Sequence, residues 1–253
     1  QQASLFGQLC CEKGMVNSTY GTGCFVLMNT GSEVVSSKNG MLSTIAWKYN
    51  GNLMYALEGS VFVGGSVIQW LRDGLKIIKS AAATEELATR IDSNDGVYLV
   101  PAFVGLGTPH WDMEAKGAIF GLTRGTDERQ IARAALESIC FQVHDVLKAM
   151  EKDCSEKIPF LKANGGATVN NYLMQFQSDI LDVEVKRAII QETTALGAAY
   201  LAGLAEGYWT SPEEIHEQRF EDFTFSPRME EALRSKLIKE WNVAVDTTKH
   251  FKI

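Results

Sequence analysis

The chain reads Leu161-Lys162-Ala163-Asn164-Gly165-Gly166-Ala167 at a point where a predicted strand ends and a predicted helix begins through Asn170 and Asn171. A strand, a glycine turn and a helix in succession are typical of α/β folds. Free N–H groups at the start of such a helix favour a phosphate or a ribose. A plain strand-to-helix turn with Asn170 as the N-cap also explains every residue. The stretch therefore indicates an α/β fold and leaves open whether the turn holds a ligand.

Outward from this turn, strands come first along the chain and then alternate with helices. From residue 16 to 58 the pattern is strand-like, and Asn50-Gly51 is the strongest short hairpin signal. Further helices are predicted at 1–9, 61–75, 84–91, 194–206 and 229–250, and further strands at 97–103 and 183–190. This order predicts a mixed sheet with helices on its faces and ligands where strand ends meet helix starts. No repeat or internal linker interrupts it, so we expect residues 1–253 to form one domain.

A long glycine-rich loop is predicted from Val104 to Gly125, and loops of this length are usually functional or interfacial. A long amphipathic helix follows the loop. Thr126 is predicted to cap it, with Asp127 and Glu128 in its first turn. Its apolar face should form part of the core.

The composition is that of a globular protein without a nucleic-acid or membrane partner. Hydrophobic residues make up 45% of the chain, which is enough for a sizeable core. The net charge of −7 is spread along the chain and leaves no basic stripe for a phosphate backbone. No apolar run reaches the ~20 residues of a membrane-spanning helix, and no signal-peptide pattern is present. The five cysteines and four histidines lack zinc-type spacing, so we expect reduced thiols, no metal cluster and a cytoplasmic location.

A second glycine turn is a candidate phosphate site. Gly21-Thr22-Gly23 places a hydroxyl between two glycines, where backbone N–H groups can approach an anion, although a tight hairpin looks the same. Gly64 and Gly65 lie near the start of the helix predicted at 61–75, again in the order strand, glycine-rich turn, helix. The spacing matches neither a Walker A motif nor a dinucleotide fingerprint, which disfavours those two enzyme classes.

Taken in order, the motifs resemble those of the glycerol kinases within the FGGY carbohydrate kinase family. The resemblance runs to about Trp209. It rests on Gly-Thr-Gly-Cys-Phe at 21–25, Gln-Trp-Leu-Arg-Asp at 69–73, Gly-Leu-Thr-Arg-Gly-Thr at 121–126 and Glu-Thr-Thr-Ala-Leu-Gly-Ala-Ala at 192–199.

The resemblance implies an actin-like ATPase (ribonuclease H-like) fold with two domains around a cleft. This chain is similar to the C-terminal, nucleotide-binding domain, and the N-terminal domain would be the missing partner. The implied reaction transfers the γ-phosphate of ATP to glycerol with Mg²⁺, giving glycerol 3-phosphate and ADP. The parent enzyme is expected to be a homo-oligomer.

The resemblance also implies site residues by matching motif positions. The terminal phosphates of ATP would meet Gly21, Thr22 and Gly23. Adenosine and the α-phosphate would be lined by Gly65, Gln69, Gly166 and Asn170, and glycerol would face Gln1 and Phe25. Gln69 is one polar residue on an otherwise apolar helix face, so its side chain is aimed either at this ligand or at solvent.

The family's motif Gly-Asp-Gln-Gln is represented here only by Gln1-Gln2. Its aspartate is the family's catalytic base, so the chain alone is expected not to phosphorylate glycerol. The chain also begins inside a predicted helix without a cap, and we expect that upstream sequence was removed by design or proteolysis. Asn164 stands where the family often has Asp, Ala188 replaces a usual Pro and His110 a common Tyr; none of these removes an implied contact.

Two other hypotheses stay open at this point. The parent could be an FGGY kinase for a pentose or another polyol, since the residues that contact the sugar lie in the other domain. The chain could also be a nucleotide-binding or oligomerisation module without catalysis.

Overall fold

The computed structural model describes residues 1–218 and 223–251. Its main feature is a seven-stranded mixed sheet with the strand order β3-β4-β2-β1-β7-β8-β9, beside a separate β5-β6 pair. The strands are β1 Val16–Tyr20, β2 Cys24–Gly31, β3 Leu42–Tyr49, β4 Asn52–Val61, β5 Tyr98–Val100, β6 Ala118–Phe120, β7 Phe160–Asn164, β8 Glu184–Arg187 and β9 Phe223–Phe225. The α/β prediction is confirmed.

Local sequence explains the antiparallel half of this sheet. β3 and β4 pair through Asn50-Gly51, whose φ angles of 48° and 79° are those of a turn that suits twisted hairpins. β1 and β2 form a second hairpin with Gly21–Gly23 at its tip. β1 also pairs in parallel with β7, and β7 with β8, so β1 joins the two halves. The hairpin predicted at Asn50-Gly51 is confirmed.

Helices cover both faces of the sheet, as expected. α4 and α5 pack on one face, and α1, which contacts β1 and β3, packs on the other together with α6. The helices are α1 Gln2–Gly7, α2 Ser66–Gln69, α3 Ala83–Thr89, α4 Glu128–Cys154, α5 Asn171–Leu181, α6 Thr193–Ala205, α7 Pro212–Gln218 and α8 Glu231–His250.

α1 and α6 meet backbone to backbone. A Cβ on Gly7 would lie 2.0 Å from the Thr193 carbonyl oxygen, and one on Gly197 would lie 1.8 Å from the Ala3 carbonyl oxygen. Both positions therefore require glycine, and the position of α1 relative to α6 is tightly fixed.

The predicted cap of α4 is wrong. Asp127, not Thr126, is the N-cap: its carboxylate accepts from the Arg129 amide at 2.8 Å. Gln130 Oε1 accepts from the Asp127 amide at 3.1 Å, which completes a capping box. The Thr126 hydroxyl instead accepts from the Thr123 amide and closes the preceding turn.

Other boundaries shift for local reasons. The helix predicted from residue 61 begins at Ser66, because Val61 still pairs with Cys24 in the sheet, and a π-helical turn at Trp70–Gly74 continues it. The strand predicted at 97–103 ends at Val100, because Pro101 has no N–H for the ladder. The loop from Val104 to Gly125 contains β6, which pairs with β5. Among the described residues, no helix has the length and apolarity needed to cross a membrane.

Candidate nucleotide site

A cavity of about 380 Å³ lies where the glycine turns at residues 21–23, 64–65 and 165–166 approach one another. The turns come from the β1–β2 hairpin, the start of α2 and the segment between β7 and α5. Its lining residues are Tyr20, Gly21, Thr22, Gly65, Ile68, Gln69, Arg72, Ala81, Ala82, Thr84, Glu85, Leu136, Ile139, Gly166, Ala167, Val169, Asn170 and Leu173. Six of the seven residues predicted to bind ATP are among them.

The hairpin tip is tied directly to the start of α2. The Gly64 amide donates to the Thr22 carbonyl at 2.8 Å, and the Gly65 amide donates to the Gly21 carbonyl at 2.8 Å. The Ser66 hydroxyl donates to the Thr22 carbonyl at 2.9 Å. These bonds fix the two turns as one rigid wall of the cavity.

The Thr22 and Gly23 amides donate to no acceptor among the described residues. The same is true of the Gly166 and Ala167 amides, which begin a 3₁₀ turn at Gly166–Val169. Backbone N–H groups without a protein acceptor are the usual ligands of phosphate oxygens at glycine turns. Of these four amides, those of Thr22, Gly166 and Ala167 belong to residues that line the cavity and are candidate anion donors.

In the turn between β7 and α5, Gly165 is required by the backbone conformation, whereas Gly166 has open space beside it. Gly165 has a φ of 96°, and a Cβ there would lie 2.6 Å from the Tyr20 carbonyl oxygen. A Cβ on Gly166 would meet nothing within 4 Å. Gly166 faces open space in the cavity, so a side chain there would occupy the cavity without disturbing the fold.

Helical side chains form the apolar wall. Ile68 comes from α2, Leu136 and Ile139 come from α4, and Leu173 comes from α5. None of the four was predicted as a site residue, because their helical spacing is that of core residues. An apolar wall opposite a polar one suits a ligand with a flat aromatic part and a charged part.

Asn170 lines the cavity and also caps α5. Its Oδ1 accepts from the Leu173 amide at 2.9 Å, and its Nδ2 donates to the Thr84 hydroxyl at 3.3 Å. Glu85 accepts from the amide and the side chain of Asn171, each at 3.1 Å. α3 is thus held against the start of α5 along the rim of the cavity.

Comparisons with known proteins fit this geometry. Residues 16–206 match the family model of the FGGY family of carbohydrate kinases, C-terminal domain. The chain belongs to the FGGY family of carbohydrate kinases. Two similar relatives are glycerol kinases of Halalkalibacterium halodurans, 59% identical over 252 residues, and of Brevibacillus brevis, 58% identical over 253; this chain is matched in full and covers 51% of each. A solved structure of Plasmodium falciparum glycerol kinase with ADP has a TM-score of 0.92 at 38% identity over 98% of this chain and 50% of that one.

Three residues that were predicted for the site lie outside the cavity lining: Gly23, Gln1 and Phe25. Gly23 lies outside the cavity lining, and a Cβ on it would be 2.5 Å from the Val61 carbonyl oxygen, so it lets the hairpin tip pack on the end of β4. Gln1 is exposed at the head of α1. Phe25 is half-buried on the sheet face that α1 covers, two residues from Leu27, which packs on Leu5. Neither Gln1 nor Phe25 lines the cavity.

Gln69 is exposed at the cavity edge, and no described residue bonds to its carboxamide. Arg72, one turn further on, holds Asp73 by two bonds of 2.7 and 2.8 Å. Gln69 directly precedes the π-helical turn and Arg72 lies within it, and such distortions of α-helices occur frequently at functional sites.

Two buried groups under the site stay neutral. Burial raises the pKa of Tyr20 well above its usual value, and its hydroxyl donates to Gln177 Oε1 at 2.9 Å. Burial also raises the pKa of the Cys24 thiol to about 12. None of the five cysteines forms a disulfide in this structure. Among the described residues, no group of three or more His, Cys, Asp or Glu side chains is placed to hold a metal ion.

Proposed function

We propose that this chain is the ATP-binding half of a glycerol kinase, an enzyme that transfers the γ-phosphate of ATP to glycerol. The observation that carries the proposal is the cavity itself, whose lining combines glycine turns that have amides without a protein acceptor with apolar side chains from α2, α4 and α5. The glycerol kinase relatives at 57–59% identity along the whole chain support the choice of acceptor.

In this proposal the base and ribose lie between the apolar wall and the rim formed by Gln69 and Asn170. The α-phosphate lies at Gly166, and the terminal phosphates reach the amides of Thr22 and its neighbours. Mg²⁺ would arrive on the phosphate oxygens, because this ion is usually held by substrate phosphates with few protein ligands. Charge that develops on the transferred group would be stabilised by the backbone donors.

We place glycerol near Gln1 and Phe25, on the sheet face that α1 covers. The chain spans about half the length of the curated relatives it matches. We therefore propose that an N-terminal domain supplies the catalytic base and the remaining glycerol contacts. On this account the 253 residues alone bind nucleotide weakly and do not turn over. The free thiols fit a reducing compartment, and we propose the cytoplasm.

The test compares this chain alone with the chain extended to the full length of its relatives. Each is mixed with MgATP and with glycerol, xylulose or gluconate, and ADP release is measured. Turnover by the extended protein with glycerol alone supports the proposal. Turnover with xylulose or gluconate instead would assign another FGGY acceptor, and turnover by the 253 residues alone would contradict the need for a second domain.

A further inference from the structure

A chain of buried polar side chains runs across one face of the sheet, from the Gly165-Gly166 turn to α1. Asn164 Nδ2 donates to Asn17 Oδ1 at 2.7 Å, and Asn17 Nδ2 donates to the Ser4 hydroxyl at 3.1 Å. The Ser4 hydroxyl then bonds to the Thr193 hydroxyl at 2.8 Å. All four residues are at most 2% exposed.

The two ends of this polar chain lie in different parts of the proposed site. Asn164 directly precedes Gly165 and Gly166, where nucleotide is proposed to bind. Ser4 lies in the first turn of α1, whose head is Gln1 on the proposed acceptor side. Thr193 begins α6, on which α1 packs through its glycine contacts.

The chemistry of each side chain decides which group donates and which accepts in these hydrogen bonds. Asn164 can donate because it is an amide, and Asn17 passes the direction on by donating to Ser4. The two hydroxyls of Ser4 and Thr193 can each be donor or acceptor. A carboxylate at either asparagine position can be satisfied, because its partner amide can still present an N–H to it. Two facing carboxylates cannot be satisfied unless they share a proton.

We propose that Asn164 is a positioning residue that sets the distance between the nucleotide turn and α1 through Asn17 and Ser4. The inference rests on the proposed function, since it is the alignment of nucleotide and acceptor that this distance controls. Phosphoryl transfer is sensitive to misalignment of the reacting groups. Disturbing the polar chain should therefore lower kcat and leave the affinity for nucleotide nearly unchanged.

Charged residues on the surrounding elements are few. β7 carries Lys162, β8 carries Glu184, Lys186 and Arg187, and Glu192 precedes α6, while α1 and β1 carry no charged residue. A single aspartate in the polar chain is thus near Lys162 on its own sheet face. A pair of aspartates would place two negative charges within hydrogen-bond distance of each other, where they repel.

The test uses the full-length protein and the variants Asn164→Asp, Asn17→Asp and the double variant. Turnover with MgATP and glycerol, and affinity for MgADP, are measured from about pH 5.5 to pH 8, a range that spans raised carboxyl pKa values. Each single variant should keep kcat within about threefold. The double variant should lose about tenfold or more in kcat at the alkaline end and regain it towards the acidic end, with MgADP affinity within about threefold throughout.

Two further variants separate positioning from folding. Ser4→Ala breaks the polar chain without adding charge and should lower kcat about tenfold with little change in MgADP affinity. Ser178→Ala removes a buried hydroxyl that bonds to the Val183 and Phe225 carbonyls away from the site, and should lower the unfolding temperature without changing kcat.

The outcomes distinguish this inference from the proposed function. Wild-type protein without glycerol-dependent turnover would overturn both. Wild-type turnover together with unchanged kcat in Ser4→Ala, or with a double variant whose pH profile follows the wild type, would overturn the positioning role alone. Loss of MgADP affinity in step with kcat would also overturn it, since the polar chain would then only support the nucleotide turn.

Discussion

The Gly65 amide donates to the Gly21 carbonyl oxygen at 2.8 Å, and a Cβ on Gly65 would lie 2.8 Å from the same oxygen. The bond that joins the hairpin tip to α2 therefore leaves no room for a side chain. Gly65→Ala would force the two turns apart and so disturb the proposed phosphate site. We expect the affinity for MgADP to fall about tenfold or more, which corresponds to a loss of about 1.4 kcal/mol or more in binding free energy. Calorimetric titration checks this, and an affinity equal to that of Gly125→Ala, at an exposed glycine with ordinary room, would contradict it.

Asn170 combines a structural and a proposed binding role, and two variants separate them. Asn170→Ala removes the cap on the Leu173 amide and should lower the free energy of unfolding by about 1 kcal/mol. Asn170→Asp keeps an oxygen for that amide and adds favourable charge at the helix start, so stability should be retained. Both variants lose the Nδ2 donor, so both should bind MgADP more weakly in the same calorimetric assay. Full affinity in Asn170→Asp would show that only the cap matters.

Asp145 connects α4, the 104–125 loop and α8. His110 and His144 lie 3.5 and 3.3 Å from its carboxylate, and the Trp241 indole donates to it at 2.8 Å. Burial alone would raise the pKa of Asp145, but the hydrogen bonds from His110, His144 and Trp241 outweigh it and lower the pKa below its usual value. A lowered carboxyl pKa stabilises the fold above the unfolded-state pKa and ceases to do so as pH falls through the folded-state value.

We therefore expect Asp145→Asn to lower the free energy of unfolding by about 1.5–3 kcal/mol at neutral pH. The difference from wild type should shrink below about pH 4, the usual Asp pKa. Urea unfolding of both proteins across this range measures it. A difference that grows on acidification would mean that the sign of the pKa shift is wrong.

Glu137 is fully buried in α4, directly beside Leu136 of the cavity wall. It accepts from Asn94 at 2.7 Å, Arg133 at 2.8 Å and the Tyr172 hydroxyl at 2.6 Å. Glu137→Ala leaves the Arg133 charge without its partner and should cost about 3–5 kcal/mol in urea unfolding. The exposed Glu128 of the same helix is the control, and its alanine variant should cost less than about 1 kcal/mol. Similar losses in both variants would refute a special role for Glu137.

The parts of this structure that the sequence predicts are mainly those next to turns with a characteristic sequence. Asn50-Gly51 and the glycine turns restrict the backbone within a few residues, so the hairpin, the β7–α5 unit and most of the proposed ATP residues follow from local sequence. The resemblance to the FGGY family supplied their roles. The N-cap of α4 could also have been predicted correctly as Asp127, because Gln130 three residues later completes a capping box.

The apolar half of the cavity could not be predicted in the same way. Leu136, Ile139 and Leu173 have the spacing of ordinary core residues, and only the packing of α4 and α5 on the sheet turns them toward a ligand. The contact of Thr84 with Asn170 likewise joins residues 86 positions apart. The short α7 and β9 were missed as well, because their few residues give no clear period.

Whether nucleotide binds in the cavity between the glycine turns is tested by titrating MgADP into this chain and into Gly166→Leu. A Cβ at 166 meets nothing within 4 Å, so leucine should fold normally and fill the cavity. Gly125→Leu is the matched control at an exposed glycine outside the cavity. The account predicts that Gly166→Leu keeps the wild-type unfolding temperature and loses MgADP binding by about tenfold or more, while Gly125→Leu binds like wild type. Undiminished binding by a folded Gly166→Leu would mean that the nucleotide lies elsewhere.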